Sequence, residues 1–424
     1  MVKTEAFPSG LRLVTETLPH VRSVAIGVWL TRGSRHESDE ESGIAHFVEH
    51  MLFKGTDRRS ARDLAQAIDS IGGQVDAFTS KEYVGYYIKV LDEHVPIAID
   101  LLSDMLLNPA LAAQDVAREQ GVVLEEIKMV EDTPDDLVHE MFAQKFWARH
   151  PLGRPILGTA ETVSAFSGER LREYFQRTYV APNLVVAAAG HLDHENLRDQ
   201  IARAFEPLSA MTSEVRGTTP VMSPGIEERI KYIEQSHVCL GTTAYGERHD
   251  DRHAVFVLNT ILGASMSSRL FQHIREERGL AYSVFSNLSA YSDTGVISIY
   301  AGCAADKVDE VVSLSLDELQ ALRMSAVPEE ELRRAKDHLK GSVMLGLENT
   351  SSRMSHLARQ EMVFGRHFTF DEILANIEAV TAEDVQRVAQ DLFRDGALVA
   401  SVVGPERGAR LSSDRMRLSG GSNA

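Results

Sequence analysis

The sequence predicts an α+β chain of two homologous domains, each an antiparallel-rich sheet packed with helices. Clustered strand-like runs, long helical patterns between the clusters, and one offset relating the two halves predict it. Val24-Ala-Ile-Gly-Val-Trp-Leu30 is β-branched and aromatic and stops at the Thr31-Arg-Gly turn. Tyr83-Val-Gly-Tyr-Tyr-Ile-Lys-Val90 and Leu184-Val-Val-Ala-Ala-Ala-Gly190 have the same character. Val238-Cys-Leu-Gly241 and Leu398-Val-Ala-Ser-Val-Val-Gly404 repeat it in the second half. Val24 and Val238 lie 214 positions apart, as do Leu184 and Leu398, and 214 is close to half of the 424 residues. Two separated strands sharing one offset imply a duplication. Helical patterns fill 111–130, 308–324 and 329–347. The expected organisation is a domain over 1–206, a Pro- and Ser/Thr-rich linker over 207–225, a homologous domain over 226–411, and a polar Gly/Ser-rich disordered tail over 412–424.

Composition narrows the class. Hydrophobic residues at 43% and charged residues at 25% suit a soluble protein with real cores. A net charge of −18 speaks against nucleic acid or an anionic membrane as partner, because both select a basic face. It serves solubility and leaves room for cationic substrates. No apolar run approaches the ~20 residues of a membrane span. The first residues show neither an apolar signal core nor an Arg-rich amphipathic run, so a cytoplasmic location is expected. Cys239 and Cys303 are too few for a disulfide framework and are expected to be buried thiols.

The sharpest local feature is Ser42-Gly-Ile-Ala-His46-Phe-Val-Glu49-His50-Met-Leu-Phe-Lys-Gly-Thr56. Its H-x-x-E-H core sets His46, Glu49 and His50 on one face of a helix, where two imidazoles can meet one metal beside a carboxylate. Such a pattern arises by chance about 0.1 times in a chain this size, so its context decides. A catalytic zinc needs a third ligand. Arg118-Glu119-Gln-Gly-Val-Val-Leu-Glu125-Glu126-Ile-Lys-Met-Val-Glu131 offers Glu119 and Glu126 two turns apart on one face, with Val122, Val123 and Ile127 expected to bury it.

These motifs resemble those of the M16 peptidases, the pitrilysin and insulysin group. The chain is most similar to bacterial proteins related to the β subunit of mitochondrial processing peptidase, over essentially its whole length. The resemblance implies zinc ligands His46, His50 and Glu126, the last 76 residues beyond the second histidine. It makes Glu49 the general base and Glu119 the acid behind a ligating imidazole, and leaves Glu125 off the metal-facing side. Ile274-Arg275-Glu-Glu-Arg-Gly-Leu-Ala-Tyr282 matches the family's substrate-holding pair, Arg275 and Tyr282. Gly72-Gly-Gln-Val-Asp76-Ala77-Phe-Thr-Ser-Lys-Glu82-Tyr83 matches the strand to which substrate adds as an extra β-strand, giving Asp76, Ala77 and Glu82 as substrate-binding positions. Asp76 stands where the family has Asn, and an ionised Asp cannot donate as an amide does.

By the same resemblance, Asp136 and Glu140, ten and fourteen residues beyond Glu126, are expected to receive an arginine upstream of the cut. The second half has no H-x-x-E-H, and His249-Asp-Asp-Arg-His253 reads as a polar turn capping a helix, so one Zn2+ per chain is expected. The implied activity is that of a metalloendopeptidase acting on peptides or unfolded segments in a chamber enclosed by a homodimer. The location is the bacterial cytoplasm, or the mitochondrial matrix for a mature eukaryotic chain. The alternatives are a non-catalytic core or partner subunit of a processing-peptidase-like complex and the mature processing-peptidase β subunit itself.

Overall fold

Two sheets form where the strand-like runs fall, as the computed structural model shows over residues 2–211, 217–412 and 416–418. The first contains β1 (Val2–Ala6), β2 (Arg12–Thr17), β3 (Ser23–Leu30), β4 (Gln74–Thr79), β5 (Val84–Leu91) and β6 (Leu184–Gly190), in the order β1-β2-β6-β3-β5-β4. The second contains β7 (Gly225–Ile230), β8 (Gln235–Ala244), β9 (Ala281–Ala290), β10 (Gly295–Ala304) and β11 (Val399–Gly404), in the order β7-β11-β8-β10-β9. Apart from β1 the two orders are the same, and each sheet has one parallel pair, β2/β6 and β7/β11, among antiparallel ones. The fold is therefore the duplicated α+β arrangement.

The 214-residue offset holds only to within a register step. It would set Val238 opposite Gly404, as Val24 stands opposite Gly190, yet Val238 pairs with Val402. A slip of two keeps every side chain on its own face, so the hydrophobic pattern survives it.

The chain divides into two compact units, and neither is a simple half. The first is Met1–Lys128, Arg154–Gly217 and Gly346–His367; the second is Met129–Gly153, Thr218–Leu345 and Phe368–Ala424. In each unit one sheet face is covered by helices from its own half. In the first these include α1 (Ile44–Leu52), α2 (Ala61–Ser70), α3 (Val95–Leu107) and part of α4 (Ala113–Asp132). The opposite face is covered by a helix from the other half. α5 (Pro134–Phe146) lays Leu137, Val138, Met141, Phe142 and Phe146 on Cys239, Val296, Tyr300, Val399 and Val403 of the second sheet. Helix Thr350–Phe364 lays Met354, Leu357 and Ala358 on Val14, Ala25, Trp29, Val185, Ala187 and Ala189 of the first. The alanines let the helix approach closely. Arg353 Nη1 at 2.7 Å from Glu16 and Arg12 Nη1 at 3.3 Å from Glu361 fix its rim.

Cys239 and Cys303 are free and buried. Within the tail expected to be disordered, Met416 and Leu418 are instead buried in the second core, because these two apolar side chains find it; 413–415 and 419–424 lie outside the described residues. Of the expected linker, 212–216 lie outside them too. No helix among the described residues is long and apolar enough to cross a membrane.

Met354 is fully buried on the first sheet although it lies in the second half of the sequence. Met354→Ala should destabilise the first unit by about 2–5 kcal/mol. Urea denaturation followed by Trp29 fluorescence checks this, and an unchanged midpoint would contradict the helix exchange.

Candidate metal centre

The centre is built on α1, whose apolar residues make it an insoluble helix on all but one side. Ile44, Ala45, Phe47, Val48, Met51 and Leu52 are buried, leaving His46, Glu49 and His50 half-buried on the remaining face. Its N-cap, Gly43, has φ +93° and no side chain to cap the helix; a Cβ there would lie 2.6 Å from the Leu157 carbonyl oxygen. Glu37 supplies the missing cap from outside the helix, its carboxylate accepting from Gly43 N at 2.8 Å and Ala45 N at 2.9 Å. Burial pushes the Glu37 carboxyl up to about 8, against the pull of those two donors. Past the helix, Thr56 donates to buried Asp104 at 2.8 Å, and Arg58 and Arg59 pair with the same carboxylate.

α4 brings the third donor. Val116, Glu119 and Val123 form its buried stripe, and Glu126 follows one turn beyond Val123. Val123 and Ile127 bury this face as expected, but Val122 is 42% exposed, because it lies off the stripe. His46 Nε2 stands 3.7 Å from Glu126 Oε2, and His50 Nε2 stands 3.6 Å from Glu126 Oε1. These separations are too long for hydrogen bonds. They are close to the edge of about 3.4 Å that donors make around an ion bound at about 2.1 Å. They are the only set of three or more His/Cys/Asp/Glu side chains among the described residues whose ligand atoms all lie within 4.8 Å of one another.

Protonation fits the same use. Glu119 Oε2 lies 3.2 Å from His50 Nδ1 and, as a carboxylate, only accepts, so Nδ1 donates there and Nε2 is the nitrogen turned toward Glu126. Lys54 Nζ holds the other Glu119 oxygen at 2.8 Å. Burial, then the neighbouring His50, lowers His46 to about 4, which keeps its imidazole neutral at neutral pH. The two nitrogens and one carboxylate are a donor set suited to zinc. Glu125 faces away, paired with Lys128 at 2.6 Å.

Glu49 lies on the same helix face, and Thr79 at the end of β4 donates to its Oε2. Burial, chiefly, raises the Glu49 carboxyl above its usual range. Lys54 and Thr79 lie inside the motif segments without an assigned role and Glu37 lies outside them; the tertiary contacts give each its part. β4 is a sheet edge, as a strand-adding substrate requires. Along it, Asp76 accepts from Tyr87 Oη at 2.8 Å and from Ala77 N at 2.9 Å. Glu82 is held by buried Arg35 at 2.6 Å.

The remaining sequence-predicted residues belong to the second unit. Arg275 Cζ lies 4.9 Å from the centroid of the Tyr282 ring, so the pair does meet. Asp136 is exposed and Glu140 half-buried, one turn apart on α5. At His249 to His253, Asp251 is the N-cap but makes no side-chain cap bond; its carboxylate is taken bidentately by Arg387 at 2.8 and 2.7 Å.

The Glu119 contact yields a direct test. Glu119→Gln should weaken metal binding by about 10–100-fold, measured by competition with a chromogenic chelator; unchanged affinity would remove Glu119 from the centre.

Comparison with known proteins agrees with this geometry. Residues 12–160 match the family described as Insulinase (Peptidase family M16), and residues 165–339 match the Peptidase M16 inactive domain. The chain is 43% identical to an uncharacterized zinc protease of Streptomyces coelicolor, over 95% of this chain and 90% of that protein. It is 42% identical to an uncharacterized zinc protease of Bacillus subtilis, over 95% of this chain and 98% of that protein. The crystal structure of a protease from Helicobacter pylori, at 22% identity, superposes with a TM-score of 0.87 and covers 96% of this chain and 99% of that one; it shares the fold. A His/His/Glu set drawn from α1 and α4, a duplicated fold and these matches lead to one conclusion: the chain belongs to peptidase family M16.

Proposed function

We propose that this protein is a zinc-dependent endopeptidase that hydrolyses peptides or unfolded segments, with two copies enclosing the chamber. The observation that carries the reading is the convergence of His46, His50 and Glu126, with Glu49 beside them. Relatives named zinc proteases support the metal. When bound, zinc supplies Lewis acidity that acidifies water and polarises a peptide carbonyl.

The proton handling belongs to the chain. Glu49 takes a proton from the attacking water and delivers it to the leaving amine nitrogen. Thr79 holds Oε2, which leaves Oε1 for that proton. The raised pKa of Glu49 suits a group that must both accept and return it. Glu119 keeps His50 in the tautomer that offers Nε2.

The β4 edge accepts the substrate strand, with main-chain bonding around Ala77 giving tolerance of varied side chains. Arg275 and Tyr282 donate to peptide carbonyls, and the Tyr282 phenol steadies the oxyanion. Asp136 and Glu140 receive a basic side chain near the cut. A single metal set and a single Arg/Tyr pair per chain favour a homodimer carrying one zinc in each copy, located in the bacterial cytoplasm.

Purified alone, the chain should elute from size exclusion at twice its 46.9 kDa mass and cleave an unfolded peptide. Chelation or Glu49→Gln should abolish the cleavage, and chelator-resistant activity would overturn the reading. Asp136→Ala with Glu140→Ala should reduce kcat/KM about tenfold on Arg-containing peptides, by the loss of two charge-assisted contacts. An equal loss on Arg-free peptides would remove the basic-residue preference.

A further inference from the structure

One turn of the second unit departs from α-helical geometry where Arg275 sits. Phe271–Glu276 is π-helical, with Glu277 N bonded to Gln272 O at 2.9 Å. Such turns are rare and cluster at functional sites. This one is pinned from behind. Arg269 reaches Glu331 through two bonds of 2.8 Å, His273 Nδ1 lies 2.5 Å from Glu318, and Ile274 is fully buried. On the outward side the Arg275 guanidinium carbon lies 4.8 Å from the centroid of the Phe271 ring and 4.9 Å from that of Tyr282. Its carboxylate neighbour, Glu276, is 3.7 Å away, outside hydrogen-bonding range. Tyr282 is 81% exposed.

Ring faces attract a guanidinium without consuming its N–H donors, which point outward in the guanidinium plane. Two such faces therefore fix where Arg275 stands and leave its donor edge for an acceptor such as a peptide carbonyl. Without the Phe271 ring, the exposed Tyr282 ring and the long ion pair to Glu276 would be left to restrain a side chain that otherwise samples many rotamers.

We propose that Phe271 is a positioning residue for the peptide substrate, acting through Arg275: its ring, together with that of Tyr282, pre-orders the guanidinium for binding. This rests on the reading that Arg275 and Tyr282 grip the peptide. The test measures KM and kcat of the zinc-loaded full chain on one fluorogenic peptide, with melting temperature as a fold control.

Phe271→Leu should raise KM about fivefold, the fold-change that a lost cation–π contact gives. Phe271→Tyr, which keeps the ring, should restore KM to within about twofold, and the melting temperature should hold in both. Phe271→Met, a similarly sized apolar side chain, is the second variant should Phe271→Leu melt early. In the Arg275→Ala background, Phe271→Leu should add nothing. Equal KM increases in both backgrounds, or no recovery with Phe271→Tyr, would overturn the proposal. An Arg275→Ala variant with unchanged KM would sink the underlying grip as well, whereas a raised KM there with none in Phe271→Leu would sink the Phe271 role alone.

Discussion

The metal centre depends on the burial of one short helix. α1 has nine residues, and six of its side chains are sealed in the core, so it cannot rotate without exposing them. That constraint turns a sequence spacing into a fixed geometry: His46, Glu49 and His50 have only one direction left. Burial of a helix leaves its N-terminal N–H groups in need of acceptors, and Gly43 has no side chain to offer. Glu37 meets that need, which makes a carboxylate nine residues before the first histidine part of the architecture of the centre.

Around that helix the polar contacts form a layered set. Glu119 sets the proton on His50, Lys54 neutralises Glu119, and Thr79 turns Glu49. Each is individually an ordinary contact. Together they ensure that two imidazole nitrogens and one carboxylate face the same few ångströms of space, with a second carboxylate beside them. The buried position of Glu119 makes its partners obligatory, because an unpaired carboxylate there would be strongly disfavoured.

How much of this was legible follows from the range of each contact. The i, i+3, i+4 spacing of His46, Glu49 and His50 is local, so helical periodicity alone reads it. Glu126 and Glu119 lie on a distant helix; their two-turn spacing made them candidates among 62 acidic residues, and resemblance to a family gave them their roles. Thr79 could not be found, since one threonine near the end of a strand looks like any other until its hydroxyl meets Glu49. The duplication was visible in strand composition, but the two-residue slip was not, because a period of two is blind to it. The exchange of α5 and helix Thr350–Phe364 was hidden for a related reason. An apolar helix face states that it will be buried, not against which sheet. Val122 shows the same limit on a smaller scale, as adjacent apolar residues on a helix need not share its buried side.

The exchange of helices also bears on synthesis. The last central strand of the first sheet ends at Gly190, but the helix that covers its second face is complete only at Phe364, 174 residues later. At roughly 5–20 residues per second, a ribosome needs roughly 10–35 s to cross that interval. Throughout it, Val14, Ala25, Trp29 and Val185 have no helix above them. The first sheet is thus synthesised in full well before the helix that seals its second face, so that face can be closed only after most of the second half has been made.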